Sequence, residues 1–247
     1  MLRYWFDKVE TLLNIEITRV SSRLSDLSPE MRKTIEQVRP YTMTSLSRLA
    51  ALCGAVDYVV ANHIPGAFVE CGVWRGGSTM AAAQSYRRLG REDVDLFLFD
   101  TFEGMPEPGV EDICRGTGAP AKDILAESGS HSPMKCYAPI DEVRRNLAST
   151  GYPAERLHFV KGKVEVTIPV HAPQEISILR LDTDWYASTK HELTHLYPRL
   201  SKNGVLIIDD YGDWDGARRA VDEYFATLSL KPLLNRIDNT GRICVKP

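Results

Sequence analysis

Residues 181–186 read LDTDWY and residues 205–210 read VLIIDD, so each segment carries a short apolar run into paired carboxylates. Apolar runs of this kind are typical of strands in a parallel sheet that is covered on both faces. The carboxyl ends of such strands meet at one edge of the sheet, where open α/β sheets bind their ligands. The two segments therefore predict a parallel sheet with several acidic side chains gathered at its ligand-binding edge.

Strand-like and helix-like segments alternate along the rest of the chain. Strands are predicted at 67–71, 94–100, 157–160, 176–182 and 204–209, and helices at 5–27, 45–62, 78–89, 188–200 and 216–228. Such alternation is typical of a doubly wound, mostly parallel α/β sheet. Residues 232–237 and 242–245 flank the turn sequence DNTG, which predicts an antiparallel hairpin at the C-terminal edge.

The domain organisation follows from the same pattern. We expect an N-terminal helical segment, residues 1–64, to pack on one α/β domain formed by residues 65–247. Residues 101–137 interrupt the alternation and are rich in proline and glycine. A structureless insertion of that length is either a functional lid or disordered, and its place after a strand end favours a lid. His131, within it, is a candidate base or substrate contact, or a solvated loop residue.

Composition excludes several classes of function. Thirty basic and 33 acidic residues give a formal net charge of -3, without a basic block typical of nucleic-acid or membrane-surface binding. No apolar run approaches the roughly 18 residues that a membrane span requires. Five scattered cysteines without a C-x-x-C pair, and early charges such as Lys8 and Glu10, indicate a cytoplasmic protein. A small-molecule substrate is expected.

The segment FVECGVWRGGST, residues 68–79, joins a strand to a helix through three glycines. Glycines allow a close backbone approach, and a helix N-terminus attracts negative groups. The spacing of Gly72, Gly76 and Gly77 departs from the G-x-G-x-x-G dinucleotide pattern. Glu70 would repel a pyrophosphate and attract an α-amino group, which favours S-adenosylmethionine over NAD. A tight turn without a ligand is the alternative.

Acidic residues at the other strand ends have predicted roles of their own. Asp100 can accept hydrogen bonds from ribose hydroxyls. Asp182, Asp209 and Asp210 can surround a Mg²⁺-type cation that holds a substrate hydroxyl, while Asp184 stands beside them as general base. Because successive strand residues point to opposite faces, adjacent aspartates can share an ion only if the chain turns there. Each aspartate taken singly could instead cap a helix.

Residues 191–195 read HELTH and match the H-E-x-x-H zinc motif. The motif lies in a helix that leads away from the carboxyl edge of the sheet, and the sequence offers no evident third ligand. A connecting helix is therefore favoured over a zinc site.

Four segments together resemble the macrocin O-methyltransferase family, which modifies sugar hydroxyls of macrolides, and the related aminocoumarin sugar methyltransferase. They are VECGVWRGGS (69–78), FDTFEGMP (99–106), LDTDWY (181–186) and IDDY (208–211), and they occur in the family's order. The resemblance extends from about residue 38 to the C-terminus. The segment between residues 105 and 137 agrees least, and it is the part expected to shape the acceptor pocket.

The resemblance implies a sugar O-methyltransferase with the class I methyltransferase fold that depends on S-adenosylmethionine and Mg²⁺ and forms a homo-oligomer, a dimer or a tetramer. Asp182, Asp209 and Asp210 would ligate the metal, and Asp184 would be the base. The expected cofactor contacts are Glu70, Gly72, Trp74, Ser78, Asp100, Thr101 and Phe102, with Gly162 and Lys163 in an adenine-side loop and Thr42 and Thr44 near the N-terminus.

The acceptor stays open at this point. A glycosylated natural product is the first expectation, and a catechol or other aromatic diol is the alternative, because a metal that holds two adjacent oxygens can serve either acceptor. A non-catalytic cofactor-binding protein, a nicotinamide-dependent oxidoreductase and a zinc hydrolase are the competitors from other classes.

Overall fold

A computed structural model describes residues 24–128 and 132–247 and contains a seven-stranded sheet. The strands are β1 (Ala67–Cys71), β2 (Leu96–Asp100), β3 (Leu157–Lys161), β4 (Ile176–Leu181), β5 (Leu200–Ile208), β6 (Asn235–Arg236) and β7 (Arg242–Val245). Their order is β3-β2-β1-β4-β5-β7-β6, and β7 runs in the direction opposite to the other six strands. The strand order reverses between β1 and β4, which places a ligand crevice beyond their carboxyl ends.

Helices cover both faces of this sheet. The described helices are α1 (Pro29–Val38), α2 (Leu46–Ala61), α3 (Gly77–Arg88), α4 (Ala121–Glu127), α5 (Ile140–Ala148), α6 (Val164–Thr167), α7 (Tyr186–Leu196) and α8 (Asp215–Ala226). Short 3₁₀ turns occupy residues 39–41, 133–135, 154–156 and 197–199. Within the described ranges, none of the helices has the length and apolar character needed to cross a bilayer.

Alternate strand residues enter the two hydrophobic clusters on either side of the sheet. Phe68 and Ile178 lie in the cluster beneath α1, α2 and α3, whereas Val69 and Leu179 lie in the cluster beneath α7 and α8. Period-two alternation places successive side chains on opposite faces, so a sheet covered on both faces needs the continuous apolar runs seen in the sequence.

The predicted fold class is confirmed, including the antiparallel C-terminal edge. Four of the described helices were missed, α1, α4, α5 and α6. Pro29 occupies the first turn of α1, where proline is favoured because its missing N–H costs nothing. The predicted helix at 5–27 lies outside the described residues except for residues 24–27, which form turns and a bend.

The 101–137 insertion is more ordered than expected. It contains α4 and an antiparallel bridge between Ile113 and Pro120, and a second bridge joins Cys114 to Trp214 at the start of α8. The insertion is therefore attached to the sheet edge and does not project freely from it. His131 lies outside the described residues. In the N-terminal region, α1 and α2 pack with α3 in one cluster, and a domain boundary near residue 64 stays a prediction.

Candidate active site

A cavity of about 740 Å³ lies at the carboxyl ends of β1, β2, β4 and β5 and extends under the insertion. It gathers most of the predicted site residues in one place. Those that line it are Thr42, Thr44, Gly72, Trp74, Ser78, Asp100, Thr101, Gly162, Lys163, Asp182, Asp184, Asp209 and Asp210. Glu70 and Phe102 are absent from its lining.

The glycines after β1 serve close packing of chain segments. Gly72 has a φ of +81°, and a Cβ there would overlap the Asp182 carbonyl, so the turn after β1 and the loop after β4 can touch only with glycine. At the start of α3, a Cβ on Gly77 would overlap the Tyr41 carbonyl. Glycine at positions 72 and 77 therefore lets the loop after β4 and the chain around residues 41–44 pack closely beside the cavity.

Asp100 fixes the same turn from β2. Its Oδ2 accepts hydrogen bonds from the backbone amides of Val73 (2.7 Å) and Trp74 (3.0 Å), and its Oδ1 accepts one from the amide of Phe102 (2.7 Å). A carboxylate offers about four lone-pair directions. Three amides and, at 3.4 Å, the Thr101 hydroxyl therefore use most of the acceptor capacity of Asp100.

Two of the predicted cofactor contacts, Glu70 and Phe102, are buried and do not line the cavity. Glu70 is fully buried; its Oε1 accepts a hydrogen bond from Arg180 Nη1 (2.6 Å), and its Oε2 accepts one from Thr79. The charge is therefore matched inside the protein and is turned away from the cavity. Phe102 is buried in the core beside Phe159, with ring centroids 6.4 Å apart, because its positive φ directs the chain inward.

Arg180 is the residue that sequence reasoning missed most completely. Its guanidinium contacts Asp182 Oδ2 (2.7 Å) and Asp209 Oδ1 (2.7 Å) in addition to Glu70. Burial alone would lower its pKa, but the three carboxylates raise that pKa well above the usual value. The signal was available, because an arginine within the apolar run ISILRL must find buried charge partners.

A second arginine reaches the same carboxylates from the N-terminal region. Arg48 of α2 bonds to Asp209, and its Nε lies 3.0 Å from Asp238 Oδ2 in the turn between β6 and β7. Thr44 accepts a hydrogen bond from Arg180 Nη2 (2.7 Å). The chain before α2 is therefore joined to the sheet edge through the same acidic cluster.

Asp182, Asp209 and Asp210 each present an oxygen within 4.8 Å of the other two. The expected difficulty with two successive aspartates does not arise, since β5 ends at Ile208 and both residues lie in the turn that follows. The amides of Asp213 and Trp214 donate to the Asp210 carbonyl (3.0 and 3.2 Å), which closes that turn. The required change of chain direction is thus present.

The cluster of Asp182, Asp209 and Asp210 has the negative charge and the donor atoms that would favour a divalent cation. Burial raises the pKa of Asp182 and Asp210 well above the ordinary value, and neighbouring carboxylates add to the effect, while Arg180 opposes it at Asp182. Asp210 is 7% exposed and has no ion pair within the described part of the chain. Three carboxylates with oxygen donors only are the ligand type that Mg²⁺ prefers.

Asp184 stands beside this cluster in a strained conformation. Its φ is +65°, its amide donates to Asp210 Oδ2 (3.1 Å), and its Oδ1 accepts a hydrogen bond from Trp214 Nε1 (2.8 Å). Burial raises its pKa to about 7, although the Trp214 bond acts in the opposite direction. The indole occupies one carboxylate oxygen and leaves the other able to accept a proton.

The capping alternative fails for these aspartates. The N-cap residues of α7 and α8 are Trp185 and Trp214, and neither helix start has a side-chain cap from its own N-cap residue. The first amide of α7, that of Tyr186, donates instead to Asp112 of the insertion (2.8 Å).

The insertion forms the apolar wall of the cavity. Side chains that line this part include Met105, Pro106, Ile124, Leu125, Trp185 and Trp214. Asp112 is 1% exposed and anchors the wall, because its Oδ2 also accepts the amide of Gly109 (2.7 Å). Trp185 Nε1 donates to the Pro106 carbonyl (3.0 Å), which ties the loop after β4 to the insertion.

The H-E-x-x-H segment forms no metal centre. His191 Nε2 lies 3.0 Å from the Ile168 carbonyl oxygen, and Glu192 is fully buried against Thr183. The aspartate triad is the single group of potential metal ligands found in residues 24–128 and 132–247. The structure therefore gives the zinc alternative no support.

The chain is similar to a known protein family along most of its length. The family model described as Macrocin-O-methyltransferase (TylF) matches residues 16–246. The 8-demethyl-8-(2,3-dimethoxy-alpha-L-rhamnosyl)-tetracenomycin-C 4'-O-methyltransferase of Streptomyces olivaceus is 35% identical over 201 residues, 81% of this chain and 74% of that protein. The demethyldecarbamoylnovobiocin O-methyltransferase of Streptomyces niveus is 34% identical over the same shares. The structure of the O-methyltransferase NovP aligns with a TM-score of 0.73 at 30% identity and covers 83% of this chain and 82% of that chain.

Proposed function

The chain belongs to the macrocin O-methyltransferase family and is an O-methyltransferase of class I fold, and we propose that it methylates a sugar hydroxyl of a glycosylated natural product. The proposed methyl donor is S-adenosylmethionine, and the proposed metal is Mg²⁺. The observation that carries the proposal is the convergence of Asp182, Asp209 and Asp210 beside Asp184 in the 740 Å³ cavity. The glycosides named for the two curated relatives support the choice of acceptor.

Residues of this chain have distinct proposed duties toward the cofactor. The turn at Gly72 and Trp74, fixed by Asp100, would hold the methionine and ribose parts, and Ser78 and Thr101 line the same wall. Gly162 and Lys163 would border the adenine, and Thr42 and Thr44 would cover the cofactor from the N-terminal side. S-adenosylmethionine supplies a sulfonium-activated methyl group when bound.

The aspartates would prepare the acceptor hydroxyl. Asp182, Asp209 and Asp210 would hold the cation, which supplies Lewis acidity toward a hydroxyl oxygen when bound. Asp184 would accept the hydroxyl proton on its free carboxylate oxygen, while Trp214 keeps the other oxygen in place. Arg180 would keep the metal ligands in position without itself touching the acceptor.

The test is methyl transfer from isotope-labelled S-adenosylmethionine to demethyldecarbamoylnovobiocin, with catechol as the competing acceptor. We expect a labelled glycoside, loss of transfer after treatment with a chelator, and recovery with Mg²⁺. Transfer to catechol alone would favour the aromatic-diol alternative, and transfer that is indifferent to the chelator would remove the metal from the proposal. Calorimetry with S-adenosylhomocysteine and with NAD tests the cofactor choice separately. A cytoplasmic location and homo-oligomeric assembly stay predictions.

A further inference from the structure

Glu192 is a buried carboxyl group that the proposed reaction does not use. It is 0% exposed in α7, and no cation pairs with it in the described ranges. Its two carboxyl oxygens lie 3.0 and 3.1 Å from Thr183 Oγ1, and the Cys71 thiol lies within hydrogen-bonding reach. Fully buried glutamates without a charge partner are rare, so this one calls for an explanation.

Thr183 lies between the proposed metal ligand Asp182 and the proposed base Asp184. Its carbonyl accepts hydrogen bonds from the Trp185 amide (2.7 Å) and from Ser188 Oγ (3.3 Å). The next residue, Asp184, has a φ of +65°, a conformation that non-glycine residues adopt at a cost. Such a backbone persists only where the surroundings fix it, and the contacts of Thr183 are part of those surroundings.

We propose that Glu192 is a positioning residue: through its hydrogen bonds to Thr183 it fixes the directions in which Asp182 and Asp184 enter the cavity. This inference rests on the proposed function for the roles of those two aspartates. The neutral acid fits the observed geometry, since one oxygen can accept from the threonine hydroxyl while the acid O–H donates back to it. Burial raises the pKa of Glu192 well above its usual value, and the carboxylates of Glu165 and Asp182 add to this, although the hydrogen bonds with Thr183 and Cys71 act in the opposite direction.

A space-filling role is the competing explanation, because Leu193 and Leu196 of the same helix are also fully buried. Two substitutions separate the two roles. Glu192→Gln keeps one donor and one acceptor in the same shape, whereas Glu192→Leu keeps bulk and removes both. Thr183→Val removes the partner hydroxyl with almost no change of shape. Thr194→Val is the matched control, since that exposed threonine of α7 bonds only to the Lys190 carbonyl (2.7 Å).

Amide hydrogen exchange of the full chain, followed by mass spectrometry without added metal, tests the positioning directly. In Glu192→Leu and Thr183→Val we expect peptides covering residues 182–186 to exchange about tenfold faster, as expected for the loss of one hydrogen bond. In the double variant Glu192→Leu/Thr183→Val, these peptides should exchange no faster than in either single variant. Glu192→Gln and Thr194→Val should match the wild type. Unchanged exchange in Glu192→Leu, or an equal rise in all peptides, overturns the inference.

Binding of Mn²⁺, measured by electron paramagnetic resonance, tests the consequence for the ligands. Glu192→Leu and Thr183→Val should weaken Mn²⁺ binding by about tenfold or more, the range found for residues that support metal ligands, and Glu192→Gln should restore it. Wild-type affinity in Glu192→Leu contradicts the inference. If the wild-type protein binds no Mn²⁺, the metal part of the proposed function fails, while the exchange experiment still decides the role of Glu192.

Discussion

The two walls of the cavity are held in different ways. At the sheet edge, Arg180 contacts three carboxylates from β1, from the loop after β4 and from the turn after β5. The opposite wall, the 101–137 insertion, is held by backbone bridges, by the bond from Trp185 to Pro106 and by two amides that donate to Asp112. Its ion pairs, Arg115 with Asp215 and Glu103 with Lys161, lie at the surface.

This difference indicates two separate functions. The sheet edge would carry out methyl transfer, and the insertion would select the acceptor. The proposed metal ligands and base lie in the loops directly after β4 and β5, where a change disturbs buried charges that are expensive to leave unpaired. The insertion is attached by hydrogen bonds and by a small hydrophobic cluster that includes Trp185 and Trp214, and fewer buried charges depend on it. Loops on a rigid scaffold are where binding specificity generally varies. We therefore expect substitutions at the sheet edge to affect turnover or overall stability, and substitutions in the insertion to affect the acceptor.

The largest effect is expected for Asp184→Asn. The amide cannot take a proton, so turnover should fall by about 10² to 10⁴-fold, the usual contribution of a general base. Calorimetric binding of S-adenosylhomocysteine should stay near the wild-type value, because Asp184 lies on the acceptor side of the proposed site. Asp215→Asn, an exposed residue paired with Arg115, is the control. Retained turnover in Asp184→Asn would exclude this residue as the base.

Arg180→Met is expected to have the second-largest effect, a loss of stability of the folded protein. The substitution leaves Glu70 and Asp209 buried, and Asp182 partly buried, without their shared cation, and removal of one partner from a buried ion pair costs about 3–5 kcal/mol. The free energy of unfolding, from urea denaturation at neutral pH, measures this loss. Arg156→Met is matched to it at the β3 edge, where a half-exposed pair with Asp95 should contribute at most about 1 kcal/mol. Equal losses in the two variants would contradict the central role of Arg180.

The contrast between the two walls also explains which features the sequence could predict. Strands and their acidic ends were predictable because a sheet covered on both faces forces long apolar runs, and parallel strands bring their ends together. Asp182, Asp209 and Asp210 could be grouped on that basis alone. Arg180 could not be assigned, since its partners come from three separate segments and nothing in residue spacing reveals them.

For Glu70, the sequence predicted the position of the residue but not the direction of its side chain. Its position at a strand end correctly indicated the ligand edge, but the sequence cannot say whether a carboxylate faces the cavity or a buried arginine. In the insertion, no periodicity marks Asp112, whose partners are backbone amides that every residue type offers. Charge partners and backbone anchors therefore depend on tertiary contacts.

Asp112→Ala should weaken the insertion more than the fold. The amides of Gly109 and Tyr186 lose their acceptor, and each unsatisfied buried group costs about 1–3 kcal/mol. We expect faster limited proteolysis within residues 101–137 and a higher KM for the acceptor, with little change in S-adenosylhomocysteine binding. Glu107→Ala removes an exposed carboxylate of the same insertion and should change neither. A loss of overall stability as large as that of Arg180→Met would erase the distinction between the two walls.

The smallest effect, taken per pH unit, concerns Glu192. Like Asp112, it is a buried carboxyl group without a cationic partner among the described residues, but it lies on the sheet side. Burial raises its pKa in the folded protein, so the folded state binds a proton that the unfolded state releases above about pH 4.3. The wild-type protein should therefore lose stability relative to Glu192→Gln as pH rises above that value, by at most about 1.4 kcal/mol per pH unit, until the folded group itself ionises. Urea denaturation between pH 4.5 and 7 measures the difference. Glu175→Gln, at an exposed position, is the control, and a flat profile for Glu192→Gln would show that the folded protein holds Glu192 ionised.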